Sequence, residues 1–557
     1  MEDKKEKDFS KEMMAYALKN AMEFGKADAS KVLTKLFQHG LGKGQIKEVM
    51  PSIKETVEKV NKFNQMDLKI EFLKYKEFSI EHEEKEKTLP ELPNAKGKIV
   101  TRLAPEPSKY LHIGHALSFL LNYVYAERYK GKCKLRFEDC NPEKVSKEYI
   151  ESIIEDLKYL GIKYEDVRYV SDDMEIMYDY AEKLLKSENV YMCLCERDKM
   201  QDLRHKGMEC ECRQFSKDIN MARWKEFLAG KYKEGDAVLR LKGNMQSQNQ
   251  VMRDPVLFRT IYKKHFRHGN KYKIWPMYDF YNPIEDSLMD VTHILRSNEF
   301  EQRVELQDLL KKLLKLKTQT IVQYGRFNVI DSTTKGREIR ELVESKELIG
   351  WDDPRLVTIK ALRRRGISKE TYYVLVNQVG LSKHEVNLDF NMIAAENRKI
   401  IDPNADRYFF VKDPVELHID KLPKGVEFVS LPLHPAKDKV RNVKIGKIFI
   451  SKDDFETNKG KELRLLHLFN INLAKTKDGK SEFTSLANKD IHKVQWVSEH
   501  VKTKVLMPDA KWIEGIAENG IKGLKEGQLI QFERNFFARF DGFNKKDNAY
   551  EFWFSHK

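Results

Sequence analysis

An apolar strand that passes through a proline-rich turn into two closely spaced histidines constrains the fold of this chain more than any other feature. The pattern predicts a strand over 98–104 and a helix over 115–129, joined by a turn that ends in His112-Ile-Gly-His115. Backbone N–H groups and two imidazoles at a helix N-terminus favour binding of an anionic phosphate. Gly114 leaves room for a nucleotide to lie against the backbone. We therefore interpret this junction as a candidate nucleotide site.

Strand and helix patterns alternate on both sides of a single interruption. Three predicted strands separated by two helices are typical of one half of an open parallel sheet; they lie at 98–104, 115–129, 132–138, 146–160 and 167–171. The alternation stops between about 190 and 270, and it resumes at 273–280, 290–296 and 320–324. The simplest interpretation is a split nucleotide-binding fold with an insertion between its halves.

The remaining segments have other patterns. We expect a disordered charged tail over 1–10, helices over 11–78 and a linker over 79–97. Residues 336–398 also look helical, whereas short β-rich runs after 402 predict one or two β-barrels. The chain is thus expected to be an α/β multidomain protein with six regions: 1–95, 96–189, 190–272, 273–335, 336–400 and 401–557.

Composition narrows the class of partner. The chain of 557 residues carries a formal net charge of +14, which favours an anionic partner, with nucleic acid first, although a lysine-rich solvated surface is the alternative. No apolar stretch approaches the ~20 residues needed to span a bilayer, and the charged N-terminal residues are unlike a signal peptide. We expect a cytoplasmic protein that does not bind membranes.

The stretch 102–115, Arg-Leu-Ala-Pro-Glu-Pro-Ser-Lys-Tyr-Leu-His-Ile-Gly-His, resembles the signature of class I aminoacyl-tRNA synthetases in the form used by glutamyl and glutaminyl enzymes. The resemblance to the archaeal and eukaryotic glutamyl branch extends from about residue 11 to the C-terminus. It implies a Rossmann-like catalytic domain split at 96–189 and 273–335, an inserted acceptor-end-binding region, a helical stem-contact region and a β-barrel anticodon-binding region. The implied chemistry is activation of L-glutamate by ATP with Mg²⁺ and transfer to tRNA(Glu), by a monomer; charging of tRNA(Gln) is left open.

The resemblance also assigns the ATP site. His112 and His115 would stabilise the phosphates, with Ser108 and Gly114 beside them. A second cationic loop is expected at Asp331-Ser-Thr-Thr-Lys335, which is similar to the family's L-S-T-S-K; the following Gly350-Trp-Asp-Asp-Pro-Arg-Leu356 fixes that alignment. Lys335 therefore takes the catalytic position of the last lysine. Two departures stand out: Lys109 replaces the usual glycine, and Asp331 replaces an apolar residue.

The amino acid site is assigned in the same way. Arg102 can present a guanidinium fork to a carboxylate, and Ala104 follows it in the pocket. By family match, Glu138 would hold the substrate's amino group and Tyr278 would line the pocket. The resemblance implies that Arg296 pairs with the γ-carboxylate of glutamate, because glutaminyl enzymes place a cysteine at that position. An uncompensated cation would disfavour a neutral amide.

Four of the six cysteines form two short pairs in the insertion, Cys193-Leu-Cys195 and Cys210-Glu-Cys212. Four thiolates suit a closed tetrahedral Zn²⁺ site of structural type, and related enzymes often bind zinc in this region. Two disulfides are the alternative, which a reducing cytoplasm disfavours. The other two, Cys133 and Cys140, are read as incidental.

Other functions compete with this interpretation. The nearest is a glutaminyl-tRNA synthetase, which Arg296 disfavours. A small nucleotidylyltransferase with the same histidine motif, or a shortened enzyme that glutamylates a tRNA base, would leave the β-rich 401–557 unexplained. A tRNA-binding paralogue without activity is the non-enzymatic alternative. The basic stretch 360–366 is read as an RNA contact, and 311–317 as a solvated helix face.

Overall fold

The computed structural model describes residues 8–79, 88–330, 332–422, 427–476 and 479–557. The chain divides into two compact units, residues 1–87 and 88–557. The predicted tail is wrong at its end, since Phe9 is buried and Ser10 begins a helix; residues 1–7 lie outside the described residues. Asp331 and residues 80–87 of the predicted linker also lie outside them.

The first unit is helical, as predicted. Its helices are α1 (Ser10–Phe24), α2 (Ala29–Leu36), α3 (Ile46–Val60) and α4 (Gln65–Tyr75). The Asp28 carboxylate caps α2 by accepting hydrogen bonds from the backbone N–H groups of Ser30 and Lys31 at 2.8 and 3.2 Å. Buried apolar residues of α1, α2 and α3, among them Leu18, Leu36 and Ile53, form the core of this unit.

The second unit begins with the nucleotide-binding fold and its insertion. Its elements up to residue 329 are β1 (Val100–Leu103), α5 (Ile113–Arg128), β2 (Lys132–Phe137), α6 (Lys147–Tyr159), β3 (Glu165–Tyr169), α7 (Met174–Lys186), β4 (Val190–Cys193), α8 (Arg197–Lys206), α9 (Lys217–Leu228), β5 (Val238–Leu241), β6 (Val256–Thr260), β7 (Ile274–Pro276), α10 (Tyr278–Leu288), β8 (His293–Ser297), α11 (Glu301–Leu314), β9 (Thr320–Tyr324) and β10 (Phe327–Val329).

The predicted split parallel sheet is confirmed. Strands β1, β2 and β3 are parallel neighbours, and β8 is parallel to β9. The two halves meet where Val100 at the start of β1 exchanges hydrogen bonds with Thr292, just before β8. Since β1 and β8 start side by side, their carboxyl ends share one edge of the sheet. Ligands of open α/β sheets bind at such an edge.

The insertion carries a separate antiparallel sheet in the order β4-β5-β6-β7. The strand predicted to resume the nucleotide fold at 273–280 is instead the short β7, and it pairs with β6 of this sheet. Helix α10 takes over at Tyr278, so the alternation resumes only with β8. The physical reason is local: Pro276 ends the strand, and the helix that begins at Tyr278 is buried on all sides from Asp279 to Asp286.

The region after β10 is mostly helical. It comprises α12 (Gly336–Glu344), α13 (Ile359–Arg364), α14 (Lys369–Val379), β11 (Val386–Leu388) and α15 (Phe390–Ile401). The all-helical expectation for 336–398 misses β11, which pairs in parallel with β10. Helix α14 packs on α5, so this region shares the core of the nucleotide-binding fold.

The C-terminal region contains two larger sheets and one separate two-stranded sheet. Its elements are β12 (Asp406–Tyr408), β13 (Phe410–Lys412), β14 (Pro414–Asp420), β15 (Phe428–Pro432), β16 (Val440–Lys444), β17 (Ile448–Ser451), α16 (Lys452–Asn458), β18 (Glu462–Leu465), β19 (Asn470–Leu473), β20 (Lys480–Ser485), β21 (Lys493–Val494), β22 (His500–Leu506), β23 (Trp512–Glu518), β24 (Leu529–Phe532), β25 (Phe536–Asn544) and β26 (Ala549–His556).

The predicted barrels correspond to the two larger sheets of this region. One has seven strands in the order β12-β24-β25-β26-β22-β23-β13, and the other has six in the order β17-β14-β20-β19-β18-β21. The edge strands β12 and β13 of the first sheet are consecutive in the chain, so the sheet curls until it is nearly closed. Each encloses its own apolar core, around Phe532 in the first and Trp496 in the second.

Candidate active site

A cleft of about 710 Å³ opens at the carboxyl ends of β1 and β8. The structure brings every residue predicted for the ATP and amino acid sites to its wall: Arg102, Ala104, Ser108, His112, Gly114, His115, Glu138, Tyr278, Arg296 and Lys335. These residues come from two strands, two helices and three connecting segments that are far apart in sequence. The parallel topology assembles them, because strand ends and helix starts meet at one edge.

The two histidines cap helix α5 reciprocally. The backbone N–H of Gly114 donates to Nδ1 of His112 at 3.1 Å, and the backbone N–H of His112 donates to Nδ1 of His115 at 3.2 Å. Both rings therefore carry their proton on Nε2, since each Nδ1 acts as an acceptor. The ring centroids lie 3.8 Å apart. A Cβ on Gly114 would lie 3.0 Å from Cε1 of His112 and 3.2 Å from the carbonyl oxygen of Phe327, so a larger residue here would press on the imidazole.

The histidines are neutral hydrogen-bond donors in this cleft. Burial lowers the pKa of His112 to about 3, and the charges of Lys109 and Arg326 add to the effect. Burial likewise lowers the pKa of His115, helped by His112. At neutral pH the site thus offers N–H dipoles, without the imidazolium charge, to an incoming phosphate.

Arg296 is a buried guanidinium with unused donors. It is 5% exposed at the end of β8. Its Nη1 donates to Oε1 of Gln307 at 2.9 Å and to the Tyr278 hydroxyl at 3.4 Å. Its Nε and Nη2 are buried and have no hydrogen-bond partner, and no carboxylate pairs with it among the residues that the structure describes. A buried cation in this state favours an anionic ligand.

A network of four charged side chains supports the floor of the cleft. Arg136, fully buried in β2, donates to Asp286 at 2.7 Å, to Glu138 at 2.9 Å and to Asn282 at 2.7 Å. Arg102 donates from Nε to the same Asp286 oxygen at 3.1 Å. Burial acts to raise the pKa of Asp286, but Arg136 and Arg102 outweigh it and hold that pKa below its usual value. Burial raises the pKa of Glu138.

Two members of this network, Arg136 and Asp286, were not predicted from the sequence. Arg136 could have been identified from the sequence. An arginine between Leu135 and Phe137 in a buried parallel strand must find carboxylate partners inside the protein. No such signal marked Asp286, whose partners lie about 150 and 184 positions away in sequence.

The loop after β10 contributes Lys335 to the cleft. This side chain is 77% exposed, and its Nζ pairs with Glu338 on the first turn of α12 at 2.8 Å. Lys109 also lines the cleft, with its Nζ 3.3 Å from the carbonyl oxygen of Thr334. Lys317, in the lysine-rich segment 311–317, pairs with Asp290 and does not line the cleft.

The four cysteines of the insertion come together in one cluster. Their Sγ atoms all lie within 4.8 Å of one another. The Sγ–Sγ distances are 4.0 Å for Cys193–Cys210 and 3.7 Å for Cys195–Cys212, far from the ~2.05 Å of a disulfide. Tetrahedral Zn²⁺ with bonds of about 2.3 Å separates its sulfurs by about 3.8 Å. The four thiols fit a zinc ion, and the disulfide alternative is wrong for this arrangement.

Local donors favour a thiolate at one sulfur of this cluster, that of Cys210. Hydrogen bonding from Cys193, with a further contribution from the Tyr191 hydroxyl, lowers the pKa of Cys210 to about 5 against the effect of burial. The backbone N–H of Leu194 donates to Sγ of Cys212 at 3.5 Å. Metal-ligating sulfurs are commonly held by such donors. Cys133 and Cys140 are buried elsewhere and belong to no potential metal-binding cluster among the described residues.

Several basic residues in the stretches 360–366 and 311–317 are buried or paired inside the protein. Arg365 is 5% exposed and donates to the carbonyl oxygens of Phe554 and Ser555, so the prediction of an RNA contact is wrong for this residue. Arg364 bridges Asp352 and Asp541 at 2.6 and 2.7 Å. In the other stretch Lys311 is 2% exposed, which contradicts a fully solvated face.

No helix among the described residues is long and apolar enough to cross a membrane.

Comparisons with known proteins agree with this geometry. Residues 98–403 match the catalytic domain of tRNA synthetases class I (E and Q), and residues 405–489 and 483–541 match two anti-codon binding domains of the same group. The Glutamate--tRNA ligase of Pyrococcus furiosus is 37% identical, covering 95% of this chain and 96% of that one. The corresponding ligases of Pyrococcus horikoshii and Methanocaldococcus jannaschii are 38% and 35% identical, over 96% of this chain and 97% and 98% of theirs. The resemblance inferred from sequence is thereby confirmed, and the chain belongs to the class I tRNA synthetases of the glutamate and glutamine group.

Proposed function

We propose that this chain is a glutamate–tRNA ligase. It would activate L-glutamate with ATP and transfer the glutamyl group to the 3′-terminal ribose of tRNA(Glu). Three relatives that align with at least 95% of this chain are named for that activity. The glutaminyl alternative would need a pocket that accepts a neutral amide.

One observation carries the choice of glutamate: the buried Arg296 has two unpartnered donors, Nε and Nη2, at the wall of the cleft. A γ-carboxylate can accept both hydrogen bonds and neutralise the guanidinium. A γ-amide offers a single oxygen, and its NH₂ group would face a cation. The site therefore selects against glutamine by leaving a buried charge uncompensated.

The rest of the amino acid would be held by the network beneath it. Glu138 lies at the end of β2 and keeps one oxygen on Arg136, so its carboxylate can accept from the α-ammonium group. Arg102 is fixed through Nε by Asp286 and lines the cleft beside Ala104, which suits a role in binding a carboxylate. Tyr278 would close the pocket around the side chain.

In the activation step a carboxylate oxygen of glutamate attacks the α-phosphorus of ATP, and pyrophosphate leaves. The Nε2–H groups of His112 and His115 would donate to phosphate oxygens as negative charge moves toward the leaving group. Ser108 and Gly114 line the same part of the cleft. Lys335 would leave Glu338 and neutralise the pyrophosphate. Mg²⁺ would accompany the nucleotide and add charge neutralisation.

The regions around this site would bind zinc and contact the tRNA. Zn²⁺ on Cys193, Cys195, Cys210 and Cys212 would hold the acceptor-end-binding region, 190–272, in shape. We assign 336–400 to stem contact and 401–557 to the anticodon, with 1–95, 96–189 and 273–335 as predicted above. The enzyme would work as a cytoplasmic monomer, and tRNA(Gln) is a second acceptor to be tested.

The deciding experiment is aminoacylation of unfractionated tRNA with labelled glutamate and, separately, labelled glutamine, in the presence of ATP and Mg²⁺. Charging with glutamate alone supports the proposal, and sequencing the charged tRNAs shows whether tRNA(Gln) is also accepted. Charging with glutamine alone would reverse the substrate assignment. Binding of tRNA with no charging by either amino acid would contradict a ligase and favour the non-enzymatic paralogue.

A further inference from the structure

Lys109 connects the two segments that approach the ATP phosphates. It precedes the capping histidines by three positions and lines the same cleft. Its Nζ donates to the carbonyl oxygen of Thr334 at 3.3 Å. A Cβ on Gly336 would lie 2.9 Å from both Cβ and Cδ of Lys109, so the absence of a side chain at Gly336 makes room for the lysine stem. The side chain thus spans from the histidine turn to the loop that carries Lys335.

Within the part of the chain that the structure describes, the ammonium group of Lys109 has no carboxylate partner. Among the described residues no ion pair involves it, although the side chain is partly buried. Burial lowers the pKa of Lys109, and the charges of Glu106, Arg326 and Glu299 also act on it. Glu299 already pairs with Arg326 at 2.9 Å, and Glu106 accepts a hydrogen bond from the Ser108 hydroxyl. The ammonium therefore retains donors that point to a single neutral carbonyl oxygen.

Lys109 and Lys335 differ in how easily their ammonium groups could reach a phosphate in the cleft. Lys335 is 77% exposed and held by Glu338, so it must break an ion pair before it reaches a phosphate. Lys109 is already inside the cleft, close enough to His112 and His115 for its charge to lower the pKa of both imidazoles. A cation beside two N–H donors is the arrangement that phosphate oxygens require.

We propose that Lys109 is a phosphate-binding residue of this enzyme, whose Nζ leaves the Thr334 carbonyl for an oxygen of the ATP triphosphate. Lys109 would share with Lys335 the neutralisation of the leaving pyrophosphate. This inference rests on the proposed function and deepens it. It also gives a role to the lysine that replaces the family's usual glycine.

The test compares Lys109→Met, Lys109→Arg and a control, Lys317→Met, in glutamate charging of tRNA. Methionine keeps the apolar stem against Gly336 and loses the charge. We expect kcat/KM for ATP to fall about 10- to 100-fold in Lys109→Met, as for loss of one charge-assisted donor, with KM for glutamate and tRNA changed less than about two-fold. Lys109→Arg should keep most of the activity. The exposed Lys317, which pairs with Asp290 outside the cleft, should be replaceable without effect.

Direct binding separates a phosphate contact from a structural role. By calorimetry, Lys109→Met should weaken ATP binding about ten-fold or more and leave adenosine binding unchanged. Equal weakening of both ligands, or ATP binding within two-fold of the original protein, would overturn the inference. If Lys109→Met does not fold, Lys109→Gln replaces it. Should the unmodified protein fail to charge tRNA, the proposed function fails, while the comparison of ATP with adenosine still decides the role of Lys109.

Discussion

Replacing Arg296 with glutamine tests the origin of amino acid selectivity. The change removes a buried guanidinium whose Nε and Nη2 have no partner among the residues that the structure describes. Each would form a charge-assisted hydrogen bond to the γ-carboxylate, worth about 1.5–3 kcal/mol. Loss of one member of a buried, hydrogen-bonded charge pair costs about 2–5 kcal/mol in comparable interfaces. We therefore expect Arg296→Gln to lose about 3–5 kcal/mol of transition-state binding for glutamate.

That loss corresponds to roughly a 150- to 5,000-fold lower kcat/KM for glutamate, at about 1.36 kcal/mol per factor of ten. The assay is steady-state charging of tRNA with glutamate and with glutamine. The ratio of the two kcat/KM values should shift toward glutamine. Arg303→Gln is the matched control, because it removes one positive charge close by from a half-exposed guanidinium already paired with Asp279. We expect at most a five-fold change in the control, since such pairs contribute about 0–1 kcal/mol.

Stability gives a second readout that does not depend on turnover. An unpaired buried cation carries a desolvation penalty, so Arg296→Gln should unfold at the same temperature as the original protein or higher. Glutamate should raise the unfolding temperature of the original protein but not of the variant. If the variant charges glutamate within five-fold of the original rate, or if glutamate still stabilises it, the reasoning about Arg296 is refuted.

Three further outcomes are expected. The original protein should contain about one Zn per chain and Cys210→Ser far less, as measured by elemental analysis; absence of zinc from the original protein would contradict the four-thiolate site. His115→Asn keeps an acceptor for the His112 N–H but loses the Nε2–H donor, so charging should fall about 10²- to 10³-fold with tRNA affinity unchanged; charging at the original rate would remove the residue from the mechanism. Burial, together with Glu155, raises the pKa of Asp156 to about 8. In an unfolded chain the pKa of this carboxyl is near its ordinary value of 3.8, so this group lowers the free energy of unfolding by up to ~1.4 kcal/mol per pH unit as pH rises from about 4 to 8. Asp156→Asn should therefore lose less thermal stability than the original protein between pH 5 and 7.5; identical pH profiles would contradict the buried, protonated carboxyl.

The sequence predicted the parts of the site that depend on local pattern. The strand, turn and helix around 98–129 are encoded by neighbouring residues, and the parallel topology then fixes where Arg102 and Glu138 must lie. The resemblance supplied Arg296, whose neighbours in sequence do not reveal that it is buried. The unused donors of Arg296 depend on how Gln307 and Tyr278 pack around it. Periodicity contains no such information.

Long-range pairing explains what the sequence analysis missed. Arg365 lies in a run of basic residues that looks like an exposed RNA-binding face, yet its donors go to carbonyl oxygens about 190 positions away. Lys311 similarly has the composition of a surface residue but is buried. The short strand β7 looked like part of the parallel sheet because strand length and apolar content do not reveal the pairing partner.

The guanidinium of Arg364 couples parts of the chain that perform separate tasks. One of its nitrogens binds Asp352, which lies seventeen positions after Lys335, and another binds Asp541 on β25 of the nearly closed C-terminal sheet. Its plane also packs on Trp553 of β26, 4.1 Å from the ring centroid. The sheet that matches the anticodon-binding family and the segment that follows the ATP loop therefore share one clamp. A single substitution at Arg364 would remove the ion pairs that join these two parts of the protein.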